Sequence, residues 1–173
     1  MLSPLLCAGV RIAAAACAVC AAVALCVVVS GERRSVRAEL GFGFPSAPRE
    51  LADAGVIAAH NGRYAAAVLT ACLAVSWTPA LRPLLDTALA ALLGFNAAVI
   101  GVALGAYGPR LAAAIALHGT LELAGFAIAG GAYLRARRDE LARSELARAA
   151  CLALGLVCAA ALVEAWVAPG ART

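Results

Sequence analysis

The chain has 173 residues, 64% of them hydrophobic and 14% charged. Soluble domains run at roughly 45–50% apolar and about 25% charged, so a water-soluble globule of this size could not hide such a surface. The net charge of +4 comes from arginine clusters such as "GERRSVR" and "RARRDELARSELAR", with no interleaved aromatics; this argues for a solvated or headgroup-facing surface and against nucleic-acid binding. The expected class is an all-α polytopic transmembrane helical bundle.

A helix needs about 20 residues to cross a hydrocarbon core of about 30 Å. The first apolar run, Ile12–Val29, is longer than a secretory signal core of about 7–15 residues, and "VVVS" before Gly31 is a poor cleavage site. Residues 1–30 therefore read as an uncleaved anchor. Residues 31–63 read as an extramembrane loop, broken at "GFGFP", with a helix start near Ser46 and Pro48. An amphipathic stretch carrying Leu51, Val56 and Ile57 then leads to His60 as an interfacial helix.

The second run, Tyr64–Trp77, covers only about 20 Å at 1.5 Å per residue. It must extend backward past Asn61 or forward toward Pro79, tilt, or thin the bilayer. Pro79 and Pro83 turn the chain into the third run, Leu84–Leu104, and Gly108-Pro109 turns it into the fourth, Leu111–Leu134. The fifth is Ala149–Val167. Residues 64–167 are thus a four-helix membrane core, with 168–173 a tail. Every Tyr and Trp (Tyr64, Trp77, Tyr107, Tyr133 and Trp166) is expected at a helix end, where such rings favour the water–lipid boundary. The segment "RARRDELARSELAR" suggests a helical linker, with Asp139–Arg143 and Glu145–Arg148 pairs on its surface. Arginines on the first and fourth loops nearly balance, so the positive-inside rule does not orient the chain.

The seven cysteines lie in or beside apolar runs, where a free thiol acts as a small hydrophobe. "CAVC" at Cys17–Cys20 has the spacing of a metal or redox pair, but no second pair or nearby histidine completes it. No metal and no cofactor is expected.

Polar residues within spans are costly and face protein or water. Four are singled out: His118 and Glu122, one turn apart on one helical face, with Asn96 and Asn61. Glu164 lies near a boundary beside Trp166 and reads as interfacial. Gly94, Gly101, Gly105 and Gly108 form a stripe on the third run, and Gly119 and Gly125 continue the small-residue character of the fourth; such surfaces let membrane helices approach closely. The stripe is expected to pack on the His118–Glu122 helix. Three roles are open to the polar group. It can hold helices together, with Glu122 bonded to His118, Asn96 or Asn61. It can relay ions or protons in a small transporter or channel subunit. It can supply ligands for an intramembrane metallohydrolase, with His60 as a third, although no HExxH accompanies it.

"HNGRYAAAVLTACLAVSW", "LLGFNAAVIGVALGAYG" and "LHGTLELAGFAIAGGAYLRAR" resemble, in order, the core of the stage II sporulation protein M family, over roughly residues 55–167. His118-Gly119-Thr120-Leu121-Glu122 is the most specific element, supported by Asn96 and Asn61. Leu117 stands where the family often has Pro, Ala97 where it often has Gly, and His60 where it often has Asn. The resemblance implies a multi-pass bacterial or archaeal protein of the cytoplasmic membrane with a cytoplasmic amino terminus. It also implies a non-enzymatic role as a scaffold or complex subunit, which in endospore formers partners a peptidoglycan-degrading subunit and a second membrane-anchored subunit. The expected partners are the lipid bilayer and other membrane proteins, or a second copy of the chain.

Overall fold

The computed structural model describes residues 3–41 and 51–166. These form six α-helices and no strand: α1 (Ser3–Ser30), α2 (Arg33–Leu40), α3 (Leu51–Trp77), α4 (Arg82–Tyr107), α5 (Pro109–Ala136) and α6 (Arg143–Trp166), with a 3-10 turn at Pro79–Leu81 before α4. Four segments, Leu5–Ser30, Pro79–Tyr107, Pro109–Ala136 and Arg143–Trp166, are long and apolar enough to cross a membrane. The protein is a helical membrane protein.

The remaining long helix, α3, has 27 residues. It merges the expected interfacial helix and the second apolar run into one element, so the run extends backward past Asn61 as far as Leu51. Its first half carries Asp53, His60, Asn61 and Arg63, which sets it apart from the four apolar spans. The expected helix start near Ser46 and Pro48 lies outside the described residues, as does the tail 168–173. Tyr64 consequently sits mid-helix rather than at an end.

Helix boundaries follow the punctuation in the sequence. Gly108 joins α4 to α5 at φ 64°, ψ −146°, a region essentially open only to glycine; its amide donates to Leu104 and its carbonyl accepts from Leu111 and Ala112. The α5–α6 connection differs from the expected helical linker. Asp139 adopts φ 59°, and the amides of Asp139 and Glu140 donate to the carbonyls of Ala136 and Arg135, the two bonds of a Schellman motif. Aspartate replaces the usual glycine there because its short polar side chain tolerates the left-handed region. The expected surface pairs are not made. Asp139 instead meets Arg82 at 2.9 Å, and Glu145 meets Arg135 at 3.2 Å. Glu145 also accepts from the Ala142 amide at 3.2 Å, half of a capping box that starts α6. These tertiary and capping contacts outcompete the weak i,i+3 and i,i+4 attractions.

Packing is by small side chains. The largest fully buried ones are Val75, Val157 and Cys72, and alanine dominates the rest of the core. α5 is central. It runs antiparallel to α1 and α6, and it shares a core with α3 in which Leu5, Ala71, Val75, Ala132, Tyr133 and Ala149 meet. α4 takes a different neighbour from the one expected: its glycine face packs on α1, not on α5. A Cβ at Gly101 would lie 2.6 Å from the Cys20 carbonyl oxygen, and one at Gly105 2.7 Å from that of Ala24. α1 returns the arrangement toward α5, where Gly131 approaches the Leu5 carbonyl and Gly9 that of Ala127. In a membrane, where apolar burial does not drive association, such backbone approach supplies the dispersion contact that holds helices together.

α2 was not foreseen. It lies outside the bundle with no buried residue, and Gly41 ends it in the left-handed region at φ 56°. Arg37 ties it down: its Nε donates to the Ala106 carbonyl at 2.7 Å, and its guanidinium lies 5.6 Å from the centre of the Tyr107 ring.

Candidate functional site

Because α4 leans on α1 and only lightly on α3 and α5, a cavity of about 630 Å³ remains between α3, α4 and α5, with Ile12 and Ala16 of α1 on its remaining wall. It collects most of the polar residues expected from the sequence. His60, Asn61 and Tyr64 enter from α3, Asn96 from α4 and Glu122 from α5.

Asn61 and Glu122 are joined directly, the Asn61 amide nitrogen donating to Glu122 Oε1. The bond ties α3 to α5 and satisfies groups that would otherwise be stranded at depth. Asn96, the other candidate partner, turns its amide onto its own helix and donates to the Leu92 carbonyl at 2.8 Å. The Glu164 carboxylate, from α6, is within electrostatic reach of Glu122.

His118 and Glu122 share a side of α5 but not an environment. His118 is 8% exposed and belongs to the buried stripe with Ala114, Gly125 and Ala129, whereas Glu122 borders the cavity. His60 is exposed at the cavity mouth, its ring edge-on to Tyr64 with centroids 5.6 Å apart. Among the described residues no three His, Cys, Asp or Glu side chains converge on one point, so a set of His118, Glu122 and His60 is not assembled. The seven cysteines are free; Cys72 is buried and donates to the Val68 carbonyl at 3.3 Å.

The glycines divide sharply. Gly101 and Gly105 meet α1, and a Cβ at Gly125 would lie 2.9 Å from the Ala153 carbonyl of α6. Gly94 has nothing within 4 Å of such a Cβ, and Gly119 only Ile115 at 3.8 Å, so neither is a close-packing position. Gly9, Gly130 and Gly131, not weighed in the sequence, are.

A second polar group borders the other end of the cavity. Asp86 of α4 accepts from the Tyr133 hydroxyl of α5 at 2.9 Å and pairs at 2.9 Å with Arg137, the residue that caps α5. Asp86 is not among the polar residues singled out from the sequence, although a carboxylate three residues past Pro83 in "PLLDTALAALL" is a visible signal. Tyr133, expected as an interfacial ring, is instead 4% exposed and bonded to Asp86. Two cross-helix clamps thus border one cavity, with Leu89, Leu93, Leu123 and Phe126 between them. Comparison with protein-family models, curated proteins and solved structures finds no match to this chain.

Proposed function

We propose that the chain is a non-enzymatic scaffold or complex subunit of the stage II sporulation protein M type, crossing the cytoplasmic membrane five times and organising partner proteins there. The fifth crossing is α3. Its packing along α5 and α6, with Ala65, Leu69, Cys72 and Val75 buried, supports counting it as a crossing.

The observation that carries the reading is the separation of the two clamps. Glu122 and Tyr133 are eleven residues apart on α5, about 16 Å at 1.5 Å per residue, with leucine and phenylalanine between. Proton relay proceeds by steps of hydrogen-bond length, about 3 Å, and Leu89, Leu93, Leu123 and Phe126 contribute no group to such a chain. Each clamp does join two helices. The polar inventory therefore favours a fixed frame over a conduit. α4 offers the surface for partners, since its outer side leaves Phe95 70% exposed, with Val99 and Leu84 also exposed.

Photo-crosslinking in native membranes tests this. A photoreactive residue at Phe95 or Val99 is expected to give a discrete adduct with an identifiable membrane protein or a second copy of the chain, while Leu152 on α6 gives lipid adducts. Lipid adducts alone at every position would reject the scaffold. Proton flux into liposomes containing the purified chain, lost in Glu122→Gln, would replace it with the relay.

A further inference from the structure

The cavity itself is unexplained by helix clamping, since a bundle built only for rigidity would close it. A space of about 630 Å³ falls within the roughly 300–1,000 Å³ of small-molecule sites. A membrane-crossing helix about 30 Å long and about 10 Å across fills roughly 2,400 Å³, so the cavity does not admit one. Its middle is apolar, walled by Val68, Leu89, Leu93, Leu123 and Phe126, and offers water too few partners to hold it. The occupant this wall selects is a hydrocarbon chain.

The ends give that chain a direction. At one end Asn61 and Glu122 satisfy one another, beside the exposed His60, and leave no free cationic group lining the cavity there. At the Asp86 end the cavity is lined by one cation, Arg137, beside Asp86. Arg137 lines the cavity, and its side chain is 39% exposed while one nitrogen pairs with Asp86. A guanidinium carries five N–H donors in a fork that suits phosphate, so Arg137 can hold Asp86 and an anion together. From Arg137 to Glu122 is about 22 Å along α5, enough for the ~15 Å depth of one leaflet plus a headgroup.

We propose that this cavity binds one acyl chain of an anionic phospholipid, with the phosphate on Arg137 at the Asp86 end and the chain lying between α3, α4 and α5. The proposal goes beyond the scaffold reading and stands or falls separately from it, because it concerns a lipid inside the bundle rather than a protein on its outer face.

The test uses the full chain in nanodiscs containing phosphatidylglycerol or phosphatidylcholine with a photoreactive acyl chain, followed by mapping of adducts. Phosphatidylglycerol is expected to label the peptides around Leu93 and Leu123, and unlabelled phosphatidylglycerol to compete. Leu93→Trp and Ala90→Phe, which fill the cavity, should abolish those adducts while leaving surface adducts near Leu117 and Leu152. Ala90 is exposed on the cavity wall, so its variant decides the matter if Leu93→Trp does not fold. Arg137→Gln should reduce the preference for phosphatidylglycerol about fivefold, the equivalent of the ~1 kcal/mol typical of one basic residue near an anionic surface. Cavity adducts that survive in Ala90→Phe, that are missing from the unaltered chain, or that form equally with phosphatidylcholine would overturn the proposal.

Discussion

The two sides of α4 make opposite use of one helix. Toward α1, Gly101 and Gly105 bring backbone against backbone, and Ala97 and Ala106 are buried beside them. Toward α3, the same helix presents Leu89, Leu93 and Asn96 to open space. A glycine stripe therefore does not determine which neighbour it will meet; the neighbour's own small residues decide. α1 supplies alanines and valines at the matching depth, while the facing part of α5 presents the bulkier Leu123 and Phe126 to the cavity.

The largest expected effect lies on the packed side. Gly105→Leu drives a side chain into the Ala24 carbonyl and should destabilise by about 3 kcal/mol or prevent accumulation, whereas Gly94→Leu should change stability by less than about 0.5 kcal/mol. Thermal unfolding in detergent and the amount of folded protein in membranes read both. Equal losses at the two positions would break the contrast.

The clamps on the open side come next. Glu122→Leu strands the Asn61 amide and should cost about 0.6–1.7 kcal/mol, while Glu122→Gln keeps an acceptor and should be near neutral. Tyr133→Phe removes one hydrogen bond to Asp86 and should cost about 1 kcal/mol in the same melts. The smallest effect is at the Schellman turn. Asp139→Gly relieves a left-handed aspartate but loses an ion pair whose members are 33% and 67% exposed, so the net change should stay within about 0.5 kcal/mol and lean toward stabilisation.

Local chemistry was legible in the sequence. Pro79, Pro83 and Gly108-Pro109 marked the turns between apolar runs, and the length of a bilayer core implied that the short second run must reach beyond its apolar part. Non-local choices were not legible. Asn61 and Asn96 are equivalent as residues; only the lean of α4 onto α1 gives Glu122 to Asn61. Gly94 and Gly101 share a helix, yet only one meets α1. "RARRDELARSELAR" has the i,i+4 pattern of a helix, and the sequence alone does not show that Arg82, distant in the chain, will claim Asp139. Asp86 is a different case, since the unusual residue was in plain view within an apolar run and its partners lie 47 and 51 positions on.

Arg37 gives the surface helix a mechanical consequence. Gripping the Ala106 carbonyl, it fastens the stretch that follows α1 to the far tip of α4. Helices α1, α2 and α4 thereby form a closed triangle, joined by glycine contacts along one edge and by a guanidinium at a corner. Any swing of α4 away from α3 must carry the whole triangle with it, and so must break the Gly9 and Gly131 contacts that seat α1 on α5.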